Sequence, residues 1–418
     1  MSESESVTVV GAGIVGLSVA WHLLKKGVPV TVIEQSSVSA GASFGNAGWI
    51  SPGLATPLPE PSVVKFGLKS LTDRNSPLYI PPTTDGNIMN FAVRFARNCT
   101  RPRWNLAMKA LLPLNETAIE GYEEIASGSG YIDDLTPKKG PILAAFRSRA
   151  EAVGLQEELY DIVSAGGNIE SHELSGSELT DDRPFLDESV TFALLLLGQR
   201  FLDSNRYCLA LAKEVEALGG TVRLGQRVLG VEPLATGSKI RLSDGNTMTS
   251  KKVVLAIGAW TPTLTRKLGV KVAQAAGRGY SFWVQTDVKI EHPIYFPLQR
   301  IACTPLAGGL RIAGTMEIAS PFDAYDPRRV DAIIRSATGL LKGVDLQSRE
   351  QEWVGPRPIT EDGLPIIGPT LDENIWVAAG HGMWGVTYGP VTGRLVAEGL
   401  IENKTPSSLR PFSPLRRT

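Results

Sequence analysis

Three glycines and one glutamate near the N-terminus have the types and spacing of a nucleotide-binding site. Gly11, Gly13 and Gly16 form a Gly-x-Gly-x-x-Gly pattern, and Glu34 follows in the same segment. The first glycine permits a tight turn, the second lets the backbone approach a pyrophosphate, and the third lets a helix pack closely on a strand. Glu34 can accept hydrogen bonds from ribose hydroxyls and would repel a 2′-phosphate. These residues predict a dinucleotide without a 2′-phosphate.

The elements around the glycines are those that position such a site. Residues 7–10 are predicted to form a short buried strand, residues 17–26 an amphipathic helix, and residues 30–33 a second strand that ends at Glu34. Strand, glycine turn, helix, strand and acid thus follow in the order of a βαβ unit. The helix N-terminus would direct free N–H groups at the phosphates.

Composition indicates an ordinary globular chain with room for two domains. The chain has 418 residues, 43% of them hydrophobic and 20% charged, with a net charge of −1. This charge gives no electrostatic reason to expect nucleic acid. The cysteines, Cys99, Cys208 and Cys303, are widely spaced and form no metal-binding set, so no metal site is predicted. Sparse, unpaired cysteines fit a reducing cytoplasm.

Neither a leader nor a membrane span is expected. The first residues, MSESES, are polar and acidic, unlike a signal peptide. No apolar run approaches the roughly 20 residues that a membrane helix needs. Peripheral membrane contact stays open.

A run of small residues over 40–53 predicts backbone lying close against a ligand, with a flexible loop as the alternative. Residues 54–86 are predicted to be irregular. Residues 87–127 are predicted to be helical, with apolar faces supplied by Phe91, Val93, Phe95, Leu106, Met108 and Leu111.

The second half of the chain alternates strands with turns. Residues 253–260 are predicted to be a buried strand that ends in glycine, and residues 374–379 a last strand. Residues 270–355 are predicted to form an antiparallel sheet that makes a wall, with a helix over 331–341 packed on it.

A second glycine turn, GHGMWG at 380–385, precedes a final helix predicted over 390–401. The helix N-terminus offers free N–H groups to an anion or an electron-rich ring. The basic, proline-containing C-terminal residues are expected to be a solvated tail.

These stretches together resemble a known family. The N-terminal fingerprint, GASFGNAG at 41–48, VVLAIGAW at 253–260, GPRPITEDGLPIIG at 355–368 and GHG at 380–382 are similar to the FAD-dependent D-amino acid oxidase and glycine oxidase superfamily. Residues 43–53 and GYS at 279–281 look most like its D-amino acid dehydrogenase (small subunit) group. The resemblance covers nearly the whole chain.

The resemblance implies that FAD binds in an extended form. The pyrophosphate would lie on the first glycine turn, the ribose on Glu34, the adenine against Val228, and the flavin pyrimidine ring on the late turn. A related branch anchors FAD through a cysteine, and because no cysteine lies in the late motif, we expect non-covalent FAD. The expected cofactor-binding residues are Gly11, Ala12, Gly13, Ile14, Val15, Gly16, Glu34, Gln35, Ala42, Ser43, Asn46, Ala47, Gly48, Val228, Gly258, Gly380, His381, Gly382, Met383, Gly385 and Val386.

Three residues are predicted to be catalytic. Arg357 matches the family's carboxylate-binding arginine, and a guanidinium holds a carboxylate best through two hydrogen bonds; the alternative is an ion pair with Glu361 or Asp362. Tyr280 is predicted to donate to the carboxylate or line the pocket, the alternative being a core residue on a strand. His381 is predicted to be a polar group facing the ring or a turn residue.

Three further aromatic residues, Trp49, Tyr295 and Trp384, are candidates for the pocket wall, with ordinary core packing as the alternative. The family's chemistry is removal of a hydride from the substrate Cα by flavin N5. The imino acid then hydrolyses to a 2-oxo acid and ammonia. We therefore expect oxidative deamination of D-amino acids; glycine, sarcosine, glyphosate-like or D-proline-like amines are the alternative substrates.

The implied fold is α/β, with a Rossmann-like FAD-binding domain interleaved with a mainly antiparallel-sheet substrate-binding domain. We expect residues 1–60, 200–265 and 355–418 in the first, and residues 61–199 and 266–354 in the second. The expected partners are a small amino-acid substrate and an electron acceptor, either quinone or oxygen. The expected location is cytoplasmic, with peripheral contact at the inner membrane open, and the sequence does not determine the oligomeric state.

Overall fold

The computed structural model describes residues 6–63, 78–81 and 83–418, and every structural statement below concerns these residues. The strands are β1 (Val7–Val10), β2 (Val30–Ile33), β3 (Trp49–Ile50), β4 (Leu78–Tyr79), β5 (Lys138–Lys139), β6 (Ile142–Phe146), β7 (Ser171–Ser175), β8 (Phe192–Leu196), β9 (Arg200–Phe201), β10 (Thr221–Arg223), β11 (Val228–Pro233), β12 (Ser238–Leu242), β13 (Thr247–Ser250), β14 (Lys252–Leu255), β15 (Gln274–Gln285), β16 (Ile294–Phe296), β17 (Ile301–Leu306), β18 (Gly309–Ala319), β19 (Arg349–Thr360), β20 (Ile366–Pro369) and β21 (Ile375–Ala379). The helices are α1 (Ile14–Lys25), α2 (Gly86–Asn98), α3 (Arg101–Ser127), α4 (Ile132–Leu135), α5 (Val153–Ser164), α6 (Ser177–Thr180), α7 (Ser204–Ala217), α8 (Thr261–Thr265), α9 (Pro327–Ala337) and α10 (Gly385–Glu402).

A six-stranded sheet in the order β10-β2-β1-β14-β21-β20 carries the N-terminal βαβ unit. Its neighbours pair in parallel except for β20 and β21. Its strands are short, apolar and β-branched, as strands buried on both faces must be. Helices α1, α3, α7 and α10 share the core on one face, and the meander β11-β12-β13 covers the other. The predicted strand–turn–helix–strand order is confirmed.

Helix α10 is built around an internal proline. It begins at Gly385 rather than at the predicted Pro390, so that Pro390 lies inside the helix. A proline cannot donate to the carbonyl four residues earlier, which here is that of Val386. The hydroxyl of Tyr122, on α3, donates to this carbonyl instead. A residue from a distant helix thus replaces the missing backbone hydrogen bond beside the late glycine turn.

A nine-stranded, mainly antiparallel sheet has the order β19-β15-β18-β17-β16-β6-β8-β7, with β4 paired to β18. Helix α9 and strands β15 to β18 share a core on one face, which confirms the predicted helix on an antiparallel wall. Asp326 caps α9 through the N–H of Arg328, so the helix starts four residues before the predicted boundary. The opposite face of β15 and β19 is turned toward the glycine turns of the parallel sheet, since Arg357 on β19 lines a cavity with them and Ser281 on β15 donates to Gly45.

Each strand of the parallel sheet lies within the segments 1–60, 200–265 and 355–418, whereas β19 of the large sheet crosses residue 355. Helix α3, from the segment 61–199, shares its core with α1 and α10. The chain's division into two domains therefore stays a prediction, with α3 packed against the helices of the parallel sheet.

Other differences concern exposure and chain ends. The helical segment 87–127 is broken at Cys99 and Thr100, and Val93 and Leu106 are exposed, contrary to expectation. The C-terminal residues are not a solvated tail, because Phe412 is buried and Arg416 pairs with Asp362. Among the described helices, none is both long enough and apolar enough to span a bilayer.

Candidate active site

A cavity of about 290 Å³ lies where the glycine turns of the parallel sheet meet the edge of the large sheet. It brings together fifteen of the predicted cofactor-binding residues, namely Gly11, Gly13, Ile14, Val15, Glu34, Gln35, Ala42, Ser43, Asn46, Val228, Gly258, His381, Gly382, Gly385 and Val386. Arg357 lines the same cavity. Segments far apart in the chain therefore converge on one site.

The first glycine turn has the close contacts that its pattern predicts. Gly11 has φ +109°, and a Cβ there would lie 2.5 Å from the carbonyl oxygen of Ala256. A Cβ at Gly16 would lie 2.0 Å from the carbonyl oxygen of Gly11. Only glycine fits either position. Gly16 does not line the cavity and instead lets α1 pack on the turn.

Two side chains fix the backbone beside this turn. The carboxylate of Glu34 accepts hydrogen bonds from the N–H groups of Ala12, at 2.9 Å, and Ser36, at 3.0 Å. The hydroxyl of Ser43 accepts one from the N–H of Ile14 at the start of α1, at 3.2 Å. Ala12 is itself buried and lies outside the lining. Glu34 therefore holds the glycine turn as well as facing the cavity.

Besides Ala12 and Gly16, four predicted residues do not line the cavity. A Cβ at Gly48 would lie 2.0 Å from the carbonyl oxygen of Leu202. Gly380 has φ +73° and packs against Thr360 and Ile366. Ala47 accepts a hydrogen bond from Thr304. The remaining residue of this group is Met383, which is exposed.

His381 lines the cavity from the late turn and is buried. Burial lowers its pKa to about 3, so the imidazole is neutral at physiological pH. Its Nε2 lies 3.0 Å from the hydroxyl of Thr392, and its carbonyl accepts from the N–H of Trp384. His381 can face a ring and orient α10, but it carries no positive charge there.

Arg357 projects from β19 over the backbone of β15. A Cβ at Gly279 would lie 2.4 Å from its Cζ, so the guanidinium occupies the space that a side chain at Gly279 would take. Burial lowers the pKa of Arg357 to about 10, which leaves it charged at neutral pH. Its guanidinium makes no hydrogen bond or ion pair within the described chain, because Glu361 pairs with Arg94 and Asp362 with Arg416. The ion-pair alternative is therefore wrong.

Tyr280 does not reach this site. It is fully buried, its hydroxyl donates to Glu317 at 2.6 Å, and Glu317 also pairs with Arg278. Successive side chains of a strand point to opposite faces. Because Gly279 underlies Arg357, Tyr280 must face the core beneath α9. The prediction that Tyr280 lines the pocket is corrected in favour of its alternative, a core residue.

The aromatic candidates for the pocket wall also lie outside this lining. The indole N–H of Trp49 donates to Thr304, and its ring contacts Tyr295 edge to face. Trp384 donates to the carbonyl of Thr56. Sequence reasoning missed several lining residues, namely Gln226, Arg227, Ala259, Trp260, Pro356 and Pro358. Trp260 lies in the motif VVLAIGAW, and both prolines lie in the motif GPRPITEDGLPIIG. These motifs could have indicated that the three residues line the cavity.

Comparison with known proteins identifies the family. The model of the family described as FAD dependent oxidoreductase matches residues 6–399. The chain belongs to this family. It is 28% identical over 408 residues to a D-amino acid dehydrogenase of Agrobacterium fabrum, covering 96% of each chain. It is similar in structure to glycine oxidase from Geobacillus kaustophilus, with 22% identity, a TM-score of 0.72 and full coverage of both chains. Iminodiacetate oxidase from Chelativorans sp. BNC1 has 20% identity, a TM-score of 0.70 and 98% coverage of both.

The residues of the cavity fit FAD. The glycine turn and the start of α1 present a cradle that a Cβ would fill, and Glu34 stands at the end of β2 where a ribose is bound in such units. The late turn and the start of α10 border the same cavity, next to Arg357. Among the described residues, this cavity therefore fits the cofactor, and the guanidinium of Arg357 borders it without an acidic partner there.

Proposed function

We propose that this FAD-dependent oxidoreductase oxidises amino acids at the Cα–N bond, with D-amino acids as its substrates. The observation that carries the proposal is the guanidinium of Arg357, which faces the dinucleotide cavity without an acidic partner in the described chain. Arg357 is half-buried, and a cation withdrawn from water without a partner is costly unless a ligand supplies the anion. A substrate carboxylate supplies it through two parallel hydrogen bonds. The D-amino acid dehydrogenase relative supports this substrate class.

The chain's own groups would bind and orient the substrate. Bound FAD would supply the hydride acceptor. Arg357 would hold the carboxylate and thereby fix the direction of the Cα–H bond. The neutral His381 would add no second positive charge to that of Arg357, since burial lowers its pKa to about 3. Hydride leaves from the neutral amine, and the neighbouring charge of Arg357 would disfavour the ammonium form.

The cofactor is proposed to be non-covalent and held by the fifteen lining residues. The thiols of Cys99, Cys208 and Cys303 are buried and lie outside the lining of the cavity. Burial raises the pKa of Cys208 to about 12, so that this thiol is not a nucleophile at neutral pH. Denaturation should release all the flavin into the supernatant.

Anaerobic bleaching of the flavin tests the substrate class. D- and L-amino acids, glycine, sarcosine and D-proline would each be mixed with the purified holoenzyme. Bleaching by D-amino acids is expected, with a Kd raised at least 100-fold in Arg357→Ala and less in Arg357→Lys, which keeps the charge. Bleaching only by glycine or secondary amines would assign the alternative substrates, and bleaching by none would refute the proposal.

The electron acceptor is proposed to be a membrane quinone rather than oxygen. Helix α2 supports contact with a membrane surface, because Met89 and Val93 are 55% and 53% exposed on a helix that also exposes Arg97. Exposed apolar side chains beside a cation suit an anionic lipid surface. Cosedimentation with anionic vesicles should fall in a Met89→Ser, Val93→Ser variant. Rapid reoxidation by air without quinone would contradict the choice of acceptor.

A further inference from the structure

The first turn of α10 borders the cofactor cavity with backbone groups. Gly385 and Val386 line the cavity. The first N–H of α10 that bonds to a carbonyl is that of Tyr388, which donates to Trp384. Among the described residues, the N–H groups of Gly385, Val386 and Thr387 therefore have no acceptor. Such N–H groups favour a ligand that carries negative charge at the start of the helix.

The flavin ring is the part of FAD that this turn would meet. Glu34 and the first glycine turn, at 11–16, stand at the ribose and pyrophosphate positions of a βαβ unit. The ring of an extended FAD would then reach the opposite border of the same cavity, where α10 begins. Reduction by two electrons and one proton leaves one negative charge on the ring. Donors held beside that charge stabilise the reduced form.

One carbonyl in this turn depends on a distant side chain. Pro390 has no N–H to donate to the carbonyl of Val386. The hydroxyl of Tyr122, on α3, donates to it instead. Both Tyr122 and Val386 are buried. Burial raises the pKa of Tyr122 well above its usual range, so the phenol stays protonated and keeps its donor.

This hydrogen bond also determines the direction of an N–H group. The carbonyl of Val386 and the N–H of Thr387 belong to one planar peptide and point in opposite directions. A donor on the carbonyl therefore fixes the peptide plane and directs the N–H of Thr387 toward the start of the helix. Without that donor a buried carbonyl would be left unsatisfied, so the turn would have to rotate toward another partner. Such a rotation would displace the N–H groups at the cavity.

We propose that Tyr122 is a positioning residue for the flavin: by donating to the carbonyl of Val386, it keeps the first turn of α10 in the conformation whose N–H groups stabilise the reduced ring. Tyr122 acts through the backbone, because it lies outside the lining of the cavity. The inference concerns the cofactor and uses no property of the substrate, so it goes beyond the proposed function.

The midpoint potential of the bound flavin tests this role. The holoenzyme would be titrated anaerobically with dithionite beside a reference dye, with no amino acid present. Tyr122→Phe should lower the equilibrium constant of two-electron reduction about 10-fold, a shift of about −30 mV. Deletion of one preorganised donor costs about 100-fold or more, and a displaced donor costs less.

Tyr207→Phe is the matched control for this measurement. The ring of Tyr207 contacts that of Tyr122, with 5.3 Å between centroids. Its hydroxyl is equally buried but has no hydrogen-bond partner in the described part of the chain. Tyr207→Phe therefore removes a hydroxyl from the same core without removing a donor from α10. It should keep the wild-type potential.

Pro390→Ala supplies the missing donor from the helix itself. In this background the N–H of the new alanine can donate to the carbonyl of Val386, which makes the phenol redundant. Tyr122→Phe should then shift the reduction equilibrium by less than about twofold. A role of Tyr122 in core packing alone predicts no such rescue, because Pro390→Ala does not restore the lost hydroxyl.

The outcomes decide for or against the role of Tyr122. An unchanged potential in Tyr122→Phe would overturn it, as would an equal shift in Tyr207→Phe or an undiminished shift in the Pro390→Ala background. If Tyr122→Phe is obtained only without flavin, the return of bound flavin in the double variant would support the proposal, and its continued absence would overturn it. Anaerobic bleaching by amino acids tests the substrate class separately, so either proposal can fail alone.

Discussion

Substitution of Gly279 by alanine should impair the enzyme through Arg357, although Gly279 has no side chain of its own. The added methyl group would lie 2.4 Å from Cζ and 2.5 Å from Nη2 of Arg357. Non-bonded heavy atoms rest about 3.5 Å apart, so the guanidinium must move by about 1 Å. A displacement of about 1 Å at a positioning group costs about 100-fold in rate. This corresponds to about 2.7 kcal/mol of transition-state stabilisation.

Stopped-flow reduction of the flavin and binding of a carboxylate inhibitor would measure this loss. Gly279→Ala should lower the limiting reduction rate or weaken substrate binding by a combined factor of about 100. The flavin content should stay at the wild-type level. Gly86→Ala is the control, because no atom lies within 4 Å of a Cβ at that position.

A double-mutant cycle would show that the loss passes through Arg357. If the methyl group acts by displacing the guanidinium, Gly279→Ala should cost much less in an Arg357→Lys background, because the slimmer lysine side chain avoids the contact. Additive effects of the two substitutions would refute this reasoning. So would full activity of Gly279→Ala alone.

Three further results are expected. Tyr280→Phe should keep the reduction rate within a factor of about two but lower stability by about 1–3 kcal/mol, because buried Glu317 loses a donor; a large loss of rate in a folded variant would restore Tyr280 to the site. Gly11→Ala should be purified without flavin, which the visible absorption spectrum reports, whereas a yellow variant would contradict the strain at φ +109°. The buried residues His22 and His381 both have a pKa lowered to about 3, so stability should be full above about pH 6.5 and fall toward pH 3 as the unfolded chain takes up protons; thermal midpoints that stay constant down to pH 4 would contradict this.

The first glycine turn could be predicted because its constraints are local. Gly11, Gly13 and Gly16 lie in one turn, and the close contacts that demand Gly11 and Gly16 are made by Ala256, next to β14, and by the turn itself. The pattern of strand, helix and acid therefore specifies the geometry almost alone. Arg357 could be placed at the cofactor only through the resemblance, since β19 and β1 are far apart in sequence and belong to different sheets.

The start of α10 shows a different limit on what can be predicted from the sequence. Pro390 is a strong boundary signal in the sequence, because a proline removes a donor from a helix interior. In the structure the helix runs through it, since Tyr122 donates to the carbonyl that Pro390 leaves free. The compensating residue lies on α3, and nothing in the local sequence connects the two positions. Tertiary contacts thus extend the helix toward the cavity and bring Gly385 and Val386 into its lining.

The direction of each side chain on the large sheet depends on register, which the sequence does not contain. Gly279, Tyr280 and Ser281 form one motif, and a shift by a single residue exchanges which of them faces the cavity. Pairing with β19 determines which face each side chain takes, because it sets Gly279 opposite Gly355 and Ser281 opposite Trp353. The aromatic residue of the motif therefore supports the core, and the two small residues lie on the opposite face, Gly279 under Arg357 and Ser281 under Gly45. A strand that lies under the guanidinium of Arg357 needs a small residue at that point. Within this motif Gly279, and not Tyr280, therefore indicates where the site lies.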